Sequence, residues 1–181
     1  MIDPLVLKNI ALGFTALFTA VAWHKLSDFN RFEQVLRDYR LFPAPVNRPL
    51  AVIVPAIELT LALGWVSGQL LHITAATSAA LLASYAMAMA VNLARGRIYI
   101  DCGCGFGAVG AEEQPLSWSL VARNSFLIGL AILPLVPATG RDLGVADYVV
   151  VIASLVTAIL LYAGSGQLIK NWTAIMTWRK A

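Results

Sequence analysis

From Leu59 to Ala94 the chain reads LTLALGWVSGQLLHITAATSAALLASYAMAMAVNLA, 36 residues without an Asp, Glu, Lys or Arg. A helix crosses the hydrocarbon core of a bilayer in about 20 residues, so this run is too long for one crossing. Gly64-Trp65-Val66-Ser67-Gly68 supplies the break, because two glycines and a serine carry turn chemistry that the apolar neighbours lack. The expectation is a helical hairpin with helices near 48–66 and 69–94. Two adjacent membrane-crossing helices decide the fold class as all-α, a polytopic membrane helix bundle.

The flanking sequence extends the pattern. Apolar runs at about 5–24, 118–137 and 147–168 bring the expected spans to five, in a single membrane domain over 1–181. Lys8 interrupts the first span near its end, where its stem can snorkel. Pro134 and Pro137 loosen the fourth run, and Gly164 and Gly166 mark the end of the fifth. Composition agrees: 59% of the residues are apolar and 13% charged, against about 25% charged in soluble domains. That excludes a soluble enzyme, a disordered chain and a disulfide-stapled mini-protein. The net charge of +3 is scattered over helix flanks and leaves no nucleic-acid footprint.

Over about 28–40, Phe29, Phe32, Val35, Leu36 and Tyr39 recur at helical spacing among Arg31, Glu33, Arg37, Asp38 and Arg40, the pattern of an amphipathic helix on the membrane surface. Pro43-Ala44-Pro45 ends it. Trp23, Trp65, Trp118, Trp172 and Trp178 fall at helix ends or flanks, as rings suited to the headgroup layer would. Ala76, Ala80, Ser84 and Ala88 form a small-residue stripe suited to a close helix neighbour. Ala20-Val21-Ala22 looks like a signal-peptide end, but the preceding residues hold only Asp3 and Lys8, which favours an uncleaved first helix.

With five spans, one side carries Lys25, Arg31, Arg37, Arg40, Arg48, Arg95, Arg97, Arg123, Lys170, Arg179 and Lys180; the other carries Lys8 and Arg141. Eleven against two makes the first side cytoplasmic and the N-terminus external.

The two cysteines of the chain stand together in Asp101-Cys102-Gly103-Cys104, within a loop over 98–117 on the eleven-charge side. Residues two apart can meet the Cα separation a disulfide tolerates if the backbone bends, which glycine permits. A ring that small is strained and easily reduced, and so suits thiol exchange better than stapling. Arg95 and Arg97 upstream favour thiolate, and Asp101 opposes it. The same pair also reads as small residues in a tight turn. Structural zinc wants four ligands, and His24 and His72 fall on opposite sides, so no metal is expected.

Glu58 is the other residue out of place, a carboxylate inside an apolar helix after Pro55. It must be protonated, paired or turned into the bundle. Lys25, Asn92, Arg123 and Asn124 are its candidate partners, and its role reads either as a proton or quinone-headgroup contact or as a clamp between helices. His24-Lys25 and Arg123-Asn124 otherwise read as interfacial anchors.

Trp23-His24-Lys25-Leu26 ending the first helix, Glu58 in the second, the Cys-Gly-Cys loop after the third and Arg123-Asn124 opening the fourth together resemble the MauE family of methylamine utilisation proteins, within the wider MauE/DoxX group of redox-associated membrane proteins. The resemblance covers nearly the whole chain in helix order. It implies a multi-pass protein of the bacterial inner (cytoplasmic) membrane, required for biogenesis and disulfide formation of the methylamine dehydrogenase small (beta) subunit. It implies membrane lipid around the chain, a thioredoxin-like periplasmic partner of the MauD type and the immature small subunit as client. By resemblance the redox pair is Cys102 and Cys104, and the intramembrane acid is Glu58. One departure stands out: many relatives follow Cys-Gly-Cys directly with an aromatic residue, whereas here Gly105 precedes Phe106.

Two functions follow as expectations. One is a thiol-disulfide oxidoreductase, with a quinone able to take or give the electrons. The other is a non-catalytic scaffold or chaperone that docks a thioredoxin-like partner; a small transporter, resting on Glu58 alone, is a weaker third. A periplasmic client asks for periplasmic cysteines, while the charge count puts them in the cytoplasm.

Overall fold

The structure, a computed structural model, describes residues 2–100, 116–137, 139–141 and 143–178; toward the C-terminus it describes side-chain surroundings as far as Leu161 and at Leu168. Helix α1 spans Pro4–Ser27 and begins where the Asp3 carboxylate accepts the Leu5 N–H at 2.8 Å, with Pro4 in the first turn. Asp28 closes α1 through its own N–H on the His24 carbonyl, and its side chain then accepts the Arg31 N–H to open α2, Phe29–Tyr39. Arg40, in the left-handed region at φ 47°, ends α2.

Helix α3 covers Ala44–Ser67 and starts about four residues earlier than expected. Pro45 permits this because the first-turn N–H groups have no intrahelical partner to lose. Further in, Pro55 lacks an N–H for the Ala51 carbonyl, which loosens the turn before Glu58. The hairpin break lies later than expected. The helix runs through Gly64 to Ser67 and stops at Gly68, whose φ of 66° suits glycine, before α4 spans Leu71–Ala94. Gly64 serves packing instead of turning: a Cβ there would stand 2.6 Å from Thr74 Oγ1 on α4.

Helix α5 covers Trp118–Ile132 and tightens into one 3-10 turn over Leu133–Leu135, since Pro134 cannot continue the α-helical ladder. Helix α6 runs from Val145 to Trp178 without stopping near 168. Glycine lowers helix stability by about 1 kcal/mol in water, but a lipid-embedded backbone keeps its internal hydrogen bonds for want of any other partner.

α1 packs along α3 and α4 along α5, while α6 lies against α1. Ser154 Oγ donates to Asn9 Oδ1 at 2.5 Å across the α1–α6 contact. At the N-terminal end, the Thr139 N–H donates to the Ile2 carbonyl at 2.9 Å and ties the start of the chain to the α5–α6 connection. Lipid is as apolar as leucine, so shape and internal hydrogen bonds hold such helices together. Trp65 shows both. It is 1% exposed, stacks on Phe14 at 5.0 Å between centroids and donates from Nε1 to Ser78 Oγ at 2.9 Å. It is therefore a core residue and not the headgroup anchor expected from its place near a helix end; among the tryptophans whose surroundings are described, Trp23 and Trp118 are exposed.

The small-residue stripe is also displaced. Ala76, Ala80 and Ser84 are exposed, and the inner face of α4 carries Ala75, Ser78, Leu82, Tyr85, Met89 and Asn92. A spacing of four drifts about 40° around the helix at each step, whereas alternating steps of three and four hold one seam. Large apolar side chains such as Leu63, Ile73, Met87 and Phe126 point outward. Among the described residues four helices are long and apolar enough to cross a membrane (α1, α3, α4 and α5 with its 3-10 turn), and α6 adds a shorter apolar stretch over Val145–Leu161. The chain is an all-α polytopic membrane helix bundle.

Candidate functional site

Glu58, on the inner face of α3, has no exposed surface, and Lys25, in the last turn of α1, is 4% exposed. Lys25 Nζ donates to Glu58 Oε1 at 2.5 Å and to the Tyr85 hydroxyl at 3.1 Å, and that hydroxyl donates in turn to Glu58 Oε1 at 2.8 Å. The ammonium also sits over two aromatic faces, 4.6 Å from the Tyr85 centroid and 4.9 Å from that of Phe32. Three helices and the cap helix α2 thus each contribute one group to a single buried charge cluster. A buried pair needs such extra hydrogen bonds, because desolvating two ions costs several kcal/mol per ion. The cluster is incomplete at one atom: Glu58 Oε2 is buried and has no hydrogen-bond partner among the described residues.

The cluster forms the floor of a cavity of about 450 Å³ bounded by α1 to α5. Its walls are aliphatic and aromatic. Arg123 and Asn124 of α5 line it, and Phe42 and Met87, 52% and 65% exposed, stand at its outer edge. The apolar face of α2 serves this cavity. Phe32, Val35 and Tyr39 are buried against the bundle, so α2 caps the helices where the sequence pattern suggested a membrane-surface helix. An amphipathic stripe looks the same in either setting.

Of the four candidate partners for Glu58, Lys25 is the ion partner. Lys25 therefore leaves the set of flanking charges, which drops to ten against two without changing sign. Asn92 turns its amide to the Ala88 carbonyl of its own helix at 3.1 Å. Asn124 does the same with Leu120, and is 3% exposed rather than interfacial. Tyr85 and Phe32 escaped sequence reasoning as site residues. The available signal was the 3-4 seam of α4, which puts a phenol among inward-facing positions beside an expected intramembrane acid.

Asp101, Cys102 and Cys104 lie outside the described residues, and the 98–117 loop is described at its two ends. There the Leu116 N–H donates to the Ile98 carbonyl at 2.8 Å, so the loop leaves and rejoins the bundle at one point. Ile100 packs with Leu116 on Val35, Tyr39, Met89 and Leu120, next to the cavity wall. Arg95 and Arg97 follow the end of α4 on this same side, their N–H groups closing the helix on the Val91 and Asn92 carbonyls. Among the described residues no three His, Cys, Asp or Glu side chains gather as metal ligands would.

The family profile described as methylamine utilisation protein MauE matches residues 3–137. The chain belongs to the MauE family. It is 39% identical to the methylamine utilization protein MauE of Paracoccus denitrificans over 73% of this chain and 69% of that one. Identity to the MauE of Paracoccus versutus is 35%, over 92% and 88% of the two chains. The MauE of Methylorubrum extorquens is 34% identical, over 90% and 87%. No solved structure matches. The MauE profile takes in α1 to α5, with the whole Lys25–Glu58–Tyr85 cluster and the cysteine loop, and stops before α6.

Proposed function

We propose that this chain is a membrane-embedded maturation factor of methylamine utilisation, acting by thiol-disulfide exchange at Cys102 and Cys104 on the small (beta) subunit of methylamine dehydrogenase. In the oxidising direction a client thiolate attacks the Cys102–Cys104 disulfide and forms a mixed disulfide. The second client thiolate then resolves it, leaving a client disulfide and two thiols on this chain. A thioredoxin-like partner of the MauD type serves as the exchange partner on the other side of the cycle, its own disulfide taking up two electrons and two protons. The observation that carries this reading is the anchoring of the cysteine loop, through Ile98 and Leu116, beside the buried charge cluster of a MauE-family bundle. Such a base fixes where the segment that carries the two cysteines leaves and rejoins the bundle. The chain is placed in the bacterial inner membrane by the same reading.

The test is client maturation in cells carrying Cys102→Ser or Cys104→Ser at unchanged membrane abundance, with the small subunit's free thiols counted by alkylation. Loss of client disulfides in both variants, with a trapped mixed disulfide in one, is the expected result. Normal client disulfides with both cysteines replaced would overturn the exchange mechanism and leave a docking scaffold. Labelling both cysteines with an impermeant maleimide in intact cells, before and after a permeant reductant, reads the face on which exchange occurs.

A further inference from the structure

The cavity above Lys25, Glu58 and Tyr85 combines features that a structural clamp between helices does not need. Its volume of about 450 Å³ falls in the range of small-molecule sites, about 300–1,000 Å³. Its floor holds a carboxylate with no exposed surface whose Oε2 accepts no hydrogen bond among the described residues, an arrangement that costs free energy unless a donor arrives. Two of its lining residues, Phe42 in the α2–α3 connection and Met87 on α4, are apolar and exposed, so it opens on the outer surface of the bundle past apolar side chains.

The charges narrow the ligand. Lys25 already neutralises Glu58 and Arg123 lines the cavity as well, so a cationic ligand would meet Lys25 and Arg123 and an anionic one would meet the Glu58 carboxylate. A neutral group fits, provided that it offers an O–H to Glu58 Oε2 and an acceptor to the cationic side of the floor. The walls ask for an apolar ring, since Phe18, Phe32 and Leu82 line the cavity beside the polar spot, and the exposed Phe42 and Met87 ask for an apolar tail. A phospholipid supplies the tail but sets an anionic phosphate against a carboxylate.

We propose that this cavity binds the ring of a membrane quinone and its quinol, with a quinol hydroxyl donating to Glu58 Oε2 and the isoprenoid tail leaving past Phe42 and Met87 into the bilayer. Coupling of this site to Cys102 and Cys104 rests on the function proposed above. There the two thiols lose two electrons and two protons as the S–S bond forms, and the quinone gains both as its two carbonyl oxygens become hydroxyls. The quinone is then an oxidant for the pair that can stand in for the thioredoxin-like partner's disulfide.

Photolabelling of the full chain in lipid nanodiscs with an azido-benzoquinol under anaerobic conditions, with labelled peptides mapped by mass spectrometry, tests the binding step. Label is expected on α1, α2 and α4 around Phe32 and Met89, and excess decyl-benzoquinol should suppress it. Glu58→Gln puts a donor where the acceptor stood and should weaken competition roughly tenfold. Val54→Phe fills the cavity from α3 while leaving the ion cluster in place, and should abolish labelling even if Glu58→Gln fails to fold. Label spread evenly over lipid-facing residues such as Leu63, or unchanged in Val54→Phe, would sink the proposal. So would cavity label that added phospholipid displaces and decyl-benzoquinol does not. Cys102→Ser/Cys104→Ser should keep full labelling, so a failure of the exchange chemistry leaves the quinone site standing, and the reverse also holds.

Discussion

The two ends of the bundle each carry an ion cluster, built to opposite specifications. At the α2 end, Lys25 and Glu58 are 4% and 0% exposed and are joined by the Tyr85 hydroxyl. At the other end, Arg141 lies 2.9 Å from Asp147 and 3.5 Å from Asp3, with its own side chain 49% exposed. The outer cluster ties a chain end to a loop already held by backbone hydrogen bonds between Ile2 and residues 137 and 139. The inner one joins α1, α3 and α4 where a cavity separates their side chains. A surface pair contributes little because water and salt serve each ion almost as well as its partner does. A buried pair is different in kind: its formation brings little net stability, but loss of one member strands the other.

The sharpest break in the comparison is removal of one buried ion. Lys25→Ala leaves Glu58 buried without its cation, and should cost about 3–5 kcal/mol in denaturant unfolding of the purified chain. Replacing both partners by apolar residues of similar size, Lys25→Met with Glu58→Leu, should recover most of that stability while removing quinone labelling. If the single and double variants unfold alike, the cluster is a net source of stability and the contrast between the two ends fails.

A smaller effect is expected from Tyr85→Phe, which keeps the ring over the ammonium and removes only the hydroxyl. The hydroxyl bonds two charged groups, so its loss should cost about 1.5–3 kcal/mol, with little response to salt because the site is closed to screening. A cost that fades as sodium chloride is raised would mean that water and ions reach the cluster, and would bring the inner site closer to the outer one.

The helices were legible because bilayer thickness and hydrophobic run length are the same measurement: α1, α3, α4 and α5 overlap the apolar runs that marked them, although α3 starts about four residues early and the hairpin break comes later. Residue facing was less legible. Trp65 near a helix end and Phe32 in an amphipathic stripe have the same local pattern whether they meet lipid headgroups or other helices. Only the packing partners, Phe14 and Ser78 for the one and Lys25 for the other, separate the cases. Glu58 announced itself because an acid in an apolar run has no innocent setting. Lys25 was visible as a candidate partner, but Tyr85 was not: a phenol buries easily enough that its presence in a helix is no anomaly, and its pairing depends on α4 facing α1 across a gap that no local spacing encodes.

The smallest effect is expected at the outer cluster, and its smallness is informative. Arg141→Ala removes the cation shared by Asp3 and Asp147, yet each acid keeps a backbone partner: Asp3 caps α1 through the Leu5 N–H, and Asp147 accepts the Gly144 N–H at 2.8 Å in the first turn of α6. Those bonds let both carboxylates keep their helix-starting roles without the guanidinium. Unfolding of Arg141→Ala should therefore match that of the parent chain, at low and at high salt. A loss as large as that of Tyr85→Phe would show that the N-terminus and the α5–α6 connection depend on charge rather than on the Ile2–Thr139 backbone pairing, and would make the outer cluster a second structural centre.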